Sequence, residues 1–227
     1  MSVESIGFDA SDSQLEEGGS TPSLRSTLFN TLLIDCPWSY TDKKTGGTFK
    51  SGAVQKYPTL SLEDICALDV SKITESDCIL FLWITNPLLF SHAPKVLSSW
   101  GFKYRTLLTW KKKSFGLGHW MRGCTEHLIV ATKGNVKPFR YQKRNFLETK
   151  GLKHSQKPEE VRTMIDEIAD KVFGSRARKL EMFARVWSPG WDSWGIDIDG
   201  KTIQQKIDEY CPQKPTQGLI IDEVTNV

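Results

Sequence analysis

The feature that most limits the fold is an apolar segment, residues 28–35, that runs into the turn Asp35-Cys36-Pro37-Trp38. It reads as a strand delivering a carboxylate to the end of a sheet. The same pattern recurs downstream. Strands are predicted over 78–85, 104–110, 126–132, 179–183 and 191–194, alternating with helices over 61–68, 87–100 and 158–172. Such alternation predicts an α/β domain with a mostly parallel sheet. Ser61 is placed to cap the first helix with Asp64 at its third position, and Gly101 and Gly174 to end the second and third. In the third helix Val161, Met164, Ile165 and Ile168 fall on one face.

Residues 1–26 are rich in Ser, Gly, Asp and Glu and read as a disordered acidic leader. Residues 27–200 hold the domain, and 201–227 form an extension with a short strand-like segment at 219–221. Residues 39–58 read as a long loop, and loops of that length inside a domain tend to be functional. Residues 136–154 read as irregular and basic. The chain of 227 residues is long enough for one sizeable domain. No apolar run approaches the length of a membrane span.

Five cysteines, with no Cys-x-x-Cys pair, predict neither a disulfide framework nor a zinc ribbon. The first residues show no basic start and no apolar core of a signal peptide. These features predict a reducing compartment, with the cytoplasm as the default. His119, Cys124 and His127 are close in sequence, but three soft ligands without a fourth predict packing rather than a metal site. Phosphate-loop, dinucleotide and serine-nucleophile motifs are absent from the sequence.

The net charge of +3 is unevenly spread. Residues 101–160 hold 14 Lys and Arg against 4 Glu, a local excess of ten positive charges. Aromatic residues, including Trp110 and Trp120, are interleaved with them. Cations that meet phosphates and rings that stack on bases suit a nucleic-acid surface, while a solvated face of the domain is the plainer alternative.

The Asp35 turn then has a specific chemical use. Asp35 offers an acceptor at the mouth of the sheet, where ligands of open α/β sheets bind. Pro37 removes a backbone donor, which leaves the Cys36 carbonyl able to accept. Trp38 offers a flat face. Two acceptors beside one platform match the exocyclic amine of a nucleobase, whose lone pair is delocalised until its N–H bonds are held. Catalysis of that kind is mostly positioning and electrostatics. The alternative is that Asp35 caps a helix and Pro-Trp packs a corner.

The residues from about 32 to 197 resemble the adenine-N6 methyltransferases that include the eukaryotic messenger-RNA adenosine methyltransferase and small bacterial and phage relatives. The hallmark turn of that family is Asp-Pro-Pro-Trp. The resemblance extends through Lys56-Tyr57-Pro58-Thr59-Leu60-Ser61, Phe81-Leu82-Trp83-Ile84-Thr85-Asn86, Gly118-His119-Trp120, Glu126-His127, His154-Ser155-Gln156-Lys157-Pro158, Arg178-Lys179-Leu180-Glu181-Met182-Phe183 and Gly190-Trp191-Asp192-Ser193-Trp194-Gly195. It implies a Rossmann-like methyltransferase fold with permuted motif order, the catalytic turn preceding the cofactor strand. It also implies S-adenosylmethionine as cofactor and transfer of its methyl group to adenine N6.

By that resemblance Asp35, the Cys36 carbonyl, Pro37 and Trp38 form the catalytic turn. Asp35, Lys157, Glu181, Phe183, Arg185 and Asp197 belong to the cofactor site. Tyr57 in a gate loop, Trp83, Glu126 and Ser155 face the substrate, and Lys111 and Lys113 meet the polymer together with the basic segment 137–144. No metal is implied. DNA is the favoured polymer, with RNA the alternative. A non-catalytic nucleic-acid-binding subunit is a further alternative, and a homo- or heterodimer with a related subunit is consistent with the family. Two departures stand out: Cys36 replaces the usual Pro, and Ile196 replaces the usual Asn that contacts the cofactor.

Overall fold

A computed structural model describes residues 28–39, 58–116, 120–149 and 156–210. The expectations for the leader, for Tyr57, His119 and Ser155, and for the segment at 219–221 lie outside the described residues. Seven strands form one sheet. They are β1 (Phe29–Ile34), β2 (Thr74–Thr85), β3 (Lys103–Lys111), β4 (Thr125–Lys133), β5 (Phe146–Glu148), β6 (Lys179–Met182) and β7 (Asp192–Trp194). Their spatial order is β5-β3-β4-β2-β1-β6-β7. Every pairing is parallel except the two that β4 makes, with β2 and with β3.

The helices are α1 (Leu62–Ala67), α2 (Ala93–Ser99), α3 (Glu159–Phe173), α4 (Ile196–Asp199) and α5 (Ile203–Tyr210). They cover both faces of the sheet. Side chains alternate across a strand, so Leu32 and Ile34 join one core with residues of α1, α2 and α5, while Leu33 joins another with α3. All six residues of β1 are buried, the signature of a central parallel strand covered on both sides. The face of α3 expected from its periodicity is the one buried: Val161, Ile165 and Ile168. Each such side chain contributes roughly 1.5–3 kcal/mol on leaving water.

The terminal signals also hold. The Ser61 hydroxyl accepts from the Asp64 N–H at 3.0 Å, and the Asp64 carboxylate reaches back to the Ser61 backbone, a reciprocal capping box. Gly134 ends β4 with φ +71, and a Cβ there would lie 2.2 Å from the Ser76 carbonyl oxygen, so the turn beside β2 requires glycine. Two elements were not expected. The basic stretch 136–154 contains β5, which pairs with the end of β3. Within 201–227, α5 buries Ile203 and Ile207 in the β1 core, and Tyr210 stacks on Phe29 at 5.3 Å. The helix expected over 87–100 is shorter: a single 3-10 turn at Asn86–Leu88 precedes α2, because Pro94 sits where only a first helical turn tolerates it.

Candidate active site

β1 stops at Ile34, and the chain leaves the sheet through Asp35, Cys36 and Pro37. Two backbone bonds pin this exit to the segment before α1: Leu60 N–H donates to the Pro37 carbonyl at 2.9 Å, and Ser39 N–H to the Leu60 carbonyl at 3.2 Å. Trp38 N–H folds back onto the Cys36 carbonyl at 2.9 Å. That carbonyl is therefore not wholly free, as the sequence reading had it. One lone pair is used within the turn and the second is left. The Trp38 indole is 5% exposed, standing edge-on to His92. It forms a wall of the cavity below rather than an open platform.

A cavity of about 220 Å³ opens at the carboxyl ends of the parallel strands. The turn Asp35-Cys36-Pro37-Trp38 lines one side, with Trp83 and Glu126 beside it. Lys157 enters from just before α3, and Phe183, Arg185, Ile196 and Asp197 close the other side. Pro158 keeps Lys157 out of helical conformation and starts α3 at the next residue, which leaves the lysine side chain at the sheet's edge. Residues 122 positions apart thus meet: Lys157 Nζ donates to Asp35 Oδ2 at 2.8 Å.

Lys157 also bonds Glu126 Oε2 at 3.2 Å and sits 5.4 Å from the centre of the Trp83 ring. Glu126 Oε1 takes a second ammonium, Lys112. Burial pushes the Glu126 carboxyl up, but Lys157 and Lys112 together outweigh it and hold its pKa below the usual range. For Lys157, burial works against the charge, yet Asp35 and Glu126 hold its pKa above the ordinary lysine value. The result is a chain of alternating charges, Lys112–Glu126–Lys157–Asp35, from a surface loop to the catalytic turn. In the sequence Lys112 stands only as part of the polymer-facing loop 111–113, because three consecutive lysines are equivalent there. Lys112 lies one residue past β3, where its backbone N–H donates to the Cys124 carbonyl at 2.7 Å, beside the start of β4 that carries Glu126.

Other expected residues sit elsewhere. Lys111 pairs with Glu148 of β5 at 2.6 Å on the surface, and neither Lys111 nor Lys113 lines the cavity. Glu181, although beside Leu33 in register, turns to Arg162 of α3 at 2.8 Å and does not line the cavity; burial raises its pKa despite that partner. The basic stretch 137–144 divides: Lys137 and Arg140 lie with Asp77, at the opposite end of β2 from the catalytic turn. The Cys36 thiol is buried and pushed well above its normal pKa by that burial and by Asp35, so it is a neutral wall atom and not a nucleophile. His127 bonds Thr109 through Nδ1 at 3.1 Å, within the β3–β4 pairing.

The far wall is held by close packing. Phe183 has φ +62, a conformation bulky residues rarely adopt, costing about 1–3 kcal/mol. It is secured from behind: Ala184 N–H donates to the Trp194 carbonyl at 2.9 Å, and a Cβ on Gly195 would lie 2.1 Å from the Ala184 carbonyl oxygen. Glycine at 195 thereby lets the chain segments after β6 and β7 touch and form one wall.

An open α/β sheet with one reversed strand, and a carboxylate turn at the carboxyl end of an interior strand, match the Rossmann-like methyltransferase class. The chain belongs to the MT-A70 family, which it matches over residues 29–197. It is an adenine-N6 methyltransferase of that family, as the motif resemblance implied. It is similar to the Type II methyltransferase M.MunI of a Mycoplasma species, 35% identical over 216 residues, 88% of this chain and 86% of that protein. The N6-methyladenosine RNA methyltransferase MTA1 of Pyricularia oryzae is 25% identical over 75% of this chain but only 47% of its own length. The N6-adenosine-methyltransferase non-catalytic subunit MTB of Arabidopsis thaliana is 28% identical over 54% of this chain and 16% of its own.

Proposed function

We propose that the protein methylates adenine N6 in DNA, with S-adenosylmethionine as the methyl donor. The observation that carries the reading is the convergence of Asp35, Lys157 and Glu126 in one cavity beside the Cys36 carbonyl. DNA is favoured because the similarity to a type II methyltransferase runs along 86% of that protein, against less than half of the RNA methyltransferase.

The donor set suits such a cofactor. Phe183 and Ile196 offer apolar surface to a ring, Asp197 offers a carboxylate to hydroxyls, and Arg185 offers a guanidinium to a carboxylate. S-adenosylmethionine supplies an electrophilic methyl group. The protein's task is to present the amine. Lys157 occupies Asp35 Oδ2, which leaves Oδ1 to accept one amine N–H, while the second lone pair of the Cys36 carbonyl accepts the other. Holding both N–H bonds localises the nitrogen lone pair for attack, and Asp35 is beside the proton that the amine must lose. Trp38 and Trp83 confine the base and exclude water. In a duplex the adenine must first leave the stack, at a cost of about a few kcal/mol.

The test is incubation with isotopically labelled S-adenosylmethionine and, in parallel, duplex DNA, single-stranded DNA or RNA, followed by digestion to nucleosides. Label in N6-methyldeoxyadenosine supports the reading. Label in N6-methyladenosine of RNA alone moves the substrate to RNA, and no label with no calorimetric cofactor binding indicates a binding subunit. Pairing with a related chain is the reading for assembly that the similarity to a subunit favours, and sedimentation equilibrium measures it.

A further inference from the structure

A second cavity, of about 390 Å³, lies at the other end of the sheet. Lys137 and Arg140 line it from the segment after β4, and Lys171 and Arg176 from the end of α3 and the turn beyond. Phe139 and Phe173 supply its apolar wall. Its single acid, Asp77, is already used, accepting the Asn135 backbone N–H at 2.8 Å. Ten ion pairs occur among the described residues, and none includes any of these four cations. The negative end of α3 accounts for a cation at Lys171 and at Arg176, but not for two more from a separate segment.

The backbone marks the same place. Among the described residues only two that are not glycine have positive φ: Phe183, in the wall of the catalytic cavity, and Arg140, at φ +46, in the wall of this one. Strain of this kind persists where surrounding structure holds it, and it concentrates at binding sites. The Arg140 carbonyl is met by Lys171 Nζ at 3.5 Å, which ties the strained residue to α3.

The two cavities are joined along one edge. α3 begins two residues after Lys157 and ends at this cavity, and its 15 residues place the cavities roughly 22 Å apart at 1.5 Å per residue. Between them runs the segment from Gly134 to β5, carrying Lys137, Arg140, Lys143 and Arg144 at the surface. In B-DNA, at 3.4 Å per base pair, that distance is about six or seven base pairs.

We propose that this cavity is a second anchor for phosphate esters, and that its occupant is the backbone of the same nucleic acid whose adenine enters the catalytic cavity. The inference rests on the proposed substrate, but its failure is separable from failure of that reading. A free nucleotide carries the same phosphate chemistry and is distinguished below.

The experiment uses the full chain and a fluorescein-labelled 30-base-pair duplex, followed by anisotropy from low to moderate salt. The variants are the triple substitution Lys137→Gln, Arg140→Gly, Arg176→Gln and, separately, Asp35→Asn. Glycine at 140 suits the positive φ, and circular dichroism with a thermal melt checks that the triple variant folds. The expected result is affinity weakened about tenfold or more in the triple variant, with the slope of log K against log salt reduced by about two to three. Asp35→Asn keeps the wild-type salt slope, which counts phosphate contacts, while losing methyl transfer. Unchanged affinity and slope in the folded triple variant overturns the anchor. So does calorimetric binding of AMP or pyrophosphate that the triple variant abolishes while duplex affinity stays intact, since that assigns the cavity to a small ligand. Methyl transfer surviving in Asp35→Asn sinks the catalytic reading and leaves the anchor standing.

Discussion

Lys157 and Asp35 form an ion pair at 2.8 Å although one precedes α3 and the other ends β1. The pair is half-exposed on the Asp35 side, and Lys157 is shared with Glu126. Its role is therefore orientation more than stability. In the proposed mechanism Lys157 fixes which oxygen of Asp35 remains to receive the amine. Lys157→Met should lower kcat by about 100-fold or more, the scale of a lost preorganised electrostatic contact. Single-turnover rates with saturating polymer measure it, and a rate within threefold of wild type would contradict the assignment.

The charges predict a pH profile. The Glu126 pKa is lower folded than unfolded, so its stabilisation is present above the ordinary carboxyl range and is lost as pH falls through the folded value. The Lys157 pKa is raised, so its stabilisation is present up to the ordinary lysine range and is lost as pH climbs through the folded value. Glu126→Gln should flatten the acid limb of a plot of melting temperature against pH, from the ordinary carboxyl range downward, while leaving neutral stability lower, because Lys157 and Lys112 lose a shared partner. An acid limb as steep as wild type would show that Glu126 is not so paired.

Cys36 stands where the resembled family has a proline, and in the proposed mechanism its carbonyl, not its thiol, holds the amine. Cys36→Ala should keep kcat within about threefold while costing about 1–2 kcal/mol of stability for the lost buried volume. The intact thiol should resist iodoacetamide at pH 8, since burial keeps it protonated. Rapid alkylation with loss of activity would contradict this.

Gly195 and Ile196 act on the opposite wall. Gly195→Ala places a methyl group 2.1 Å from the Ala184 carbonyl and should weaken S-adenosylmethionine binding at least tenfold by calorimetry. Ile196 lines the cavity half-exposed, so Ile196→Asn restores a polar group there. One added hydrogen bond of about 1 kcal/mol should tighten the cofactor roughly fivefold. Equal affinity in both variants would remove this wall from the cofactor site.

Much of this was legible in the sequence, because the buried strands announce themselves. The centre of β2 is an unbroken apolar run, β1 ends in Leu32-Leu33-Ile34, and α3 carries a clear apolar stripe. What escaped reading depends on long-range contact. β5 is three residues long, with no pattern of its own, and exists because the end of β3 offers free pairing groups. α5 looks polar until Ile203 and Ile207 meet Phe29 and Trp194. At the site, the turn and Lys157 stand in recognisable motifs, whereas the pairing of Lys112 with Glu126 and of Glu181 with Arg162 depends on long-range packing that a motif does not encode.

The reversal of β4 decides which of its ends brings a charge to the cavity. Because β4 runs against its neighbours, it begins at the catalytic end of the sheet instead of ending there, and Glu126, its second residue, lines the cavity. A parallel strand in its place would start at the far end of the sheet, and Lys157 would keep Asp35 but lose Glu126 as a carboxylate partner.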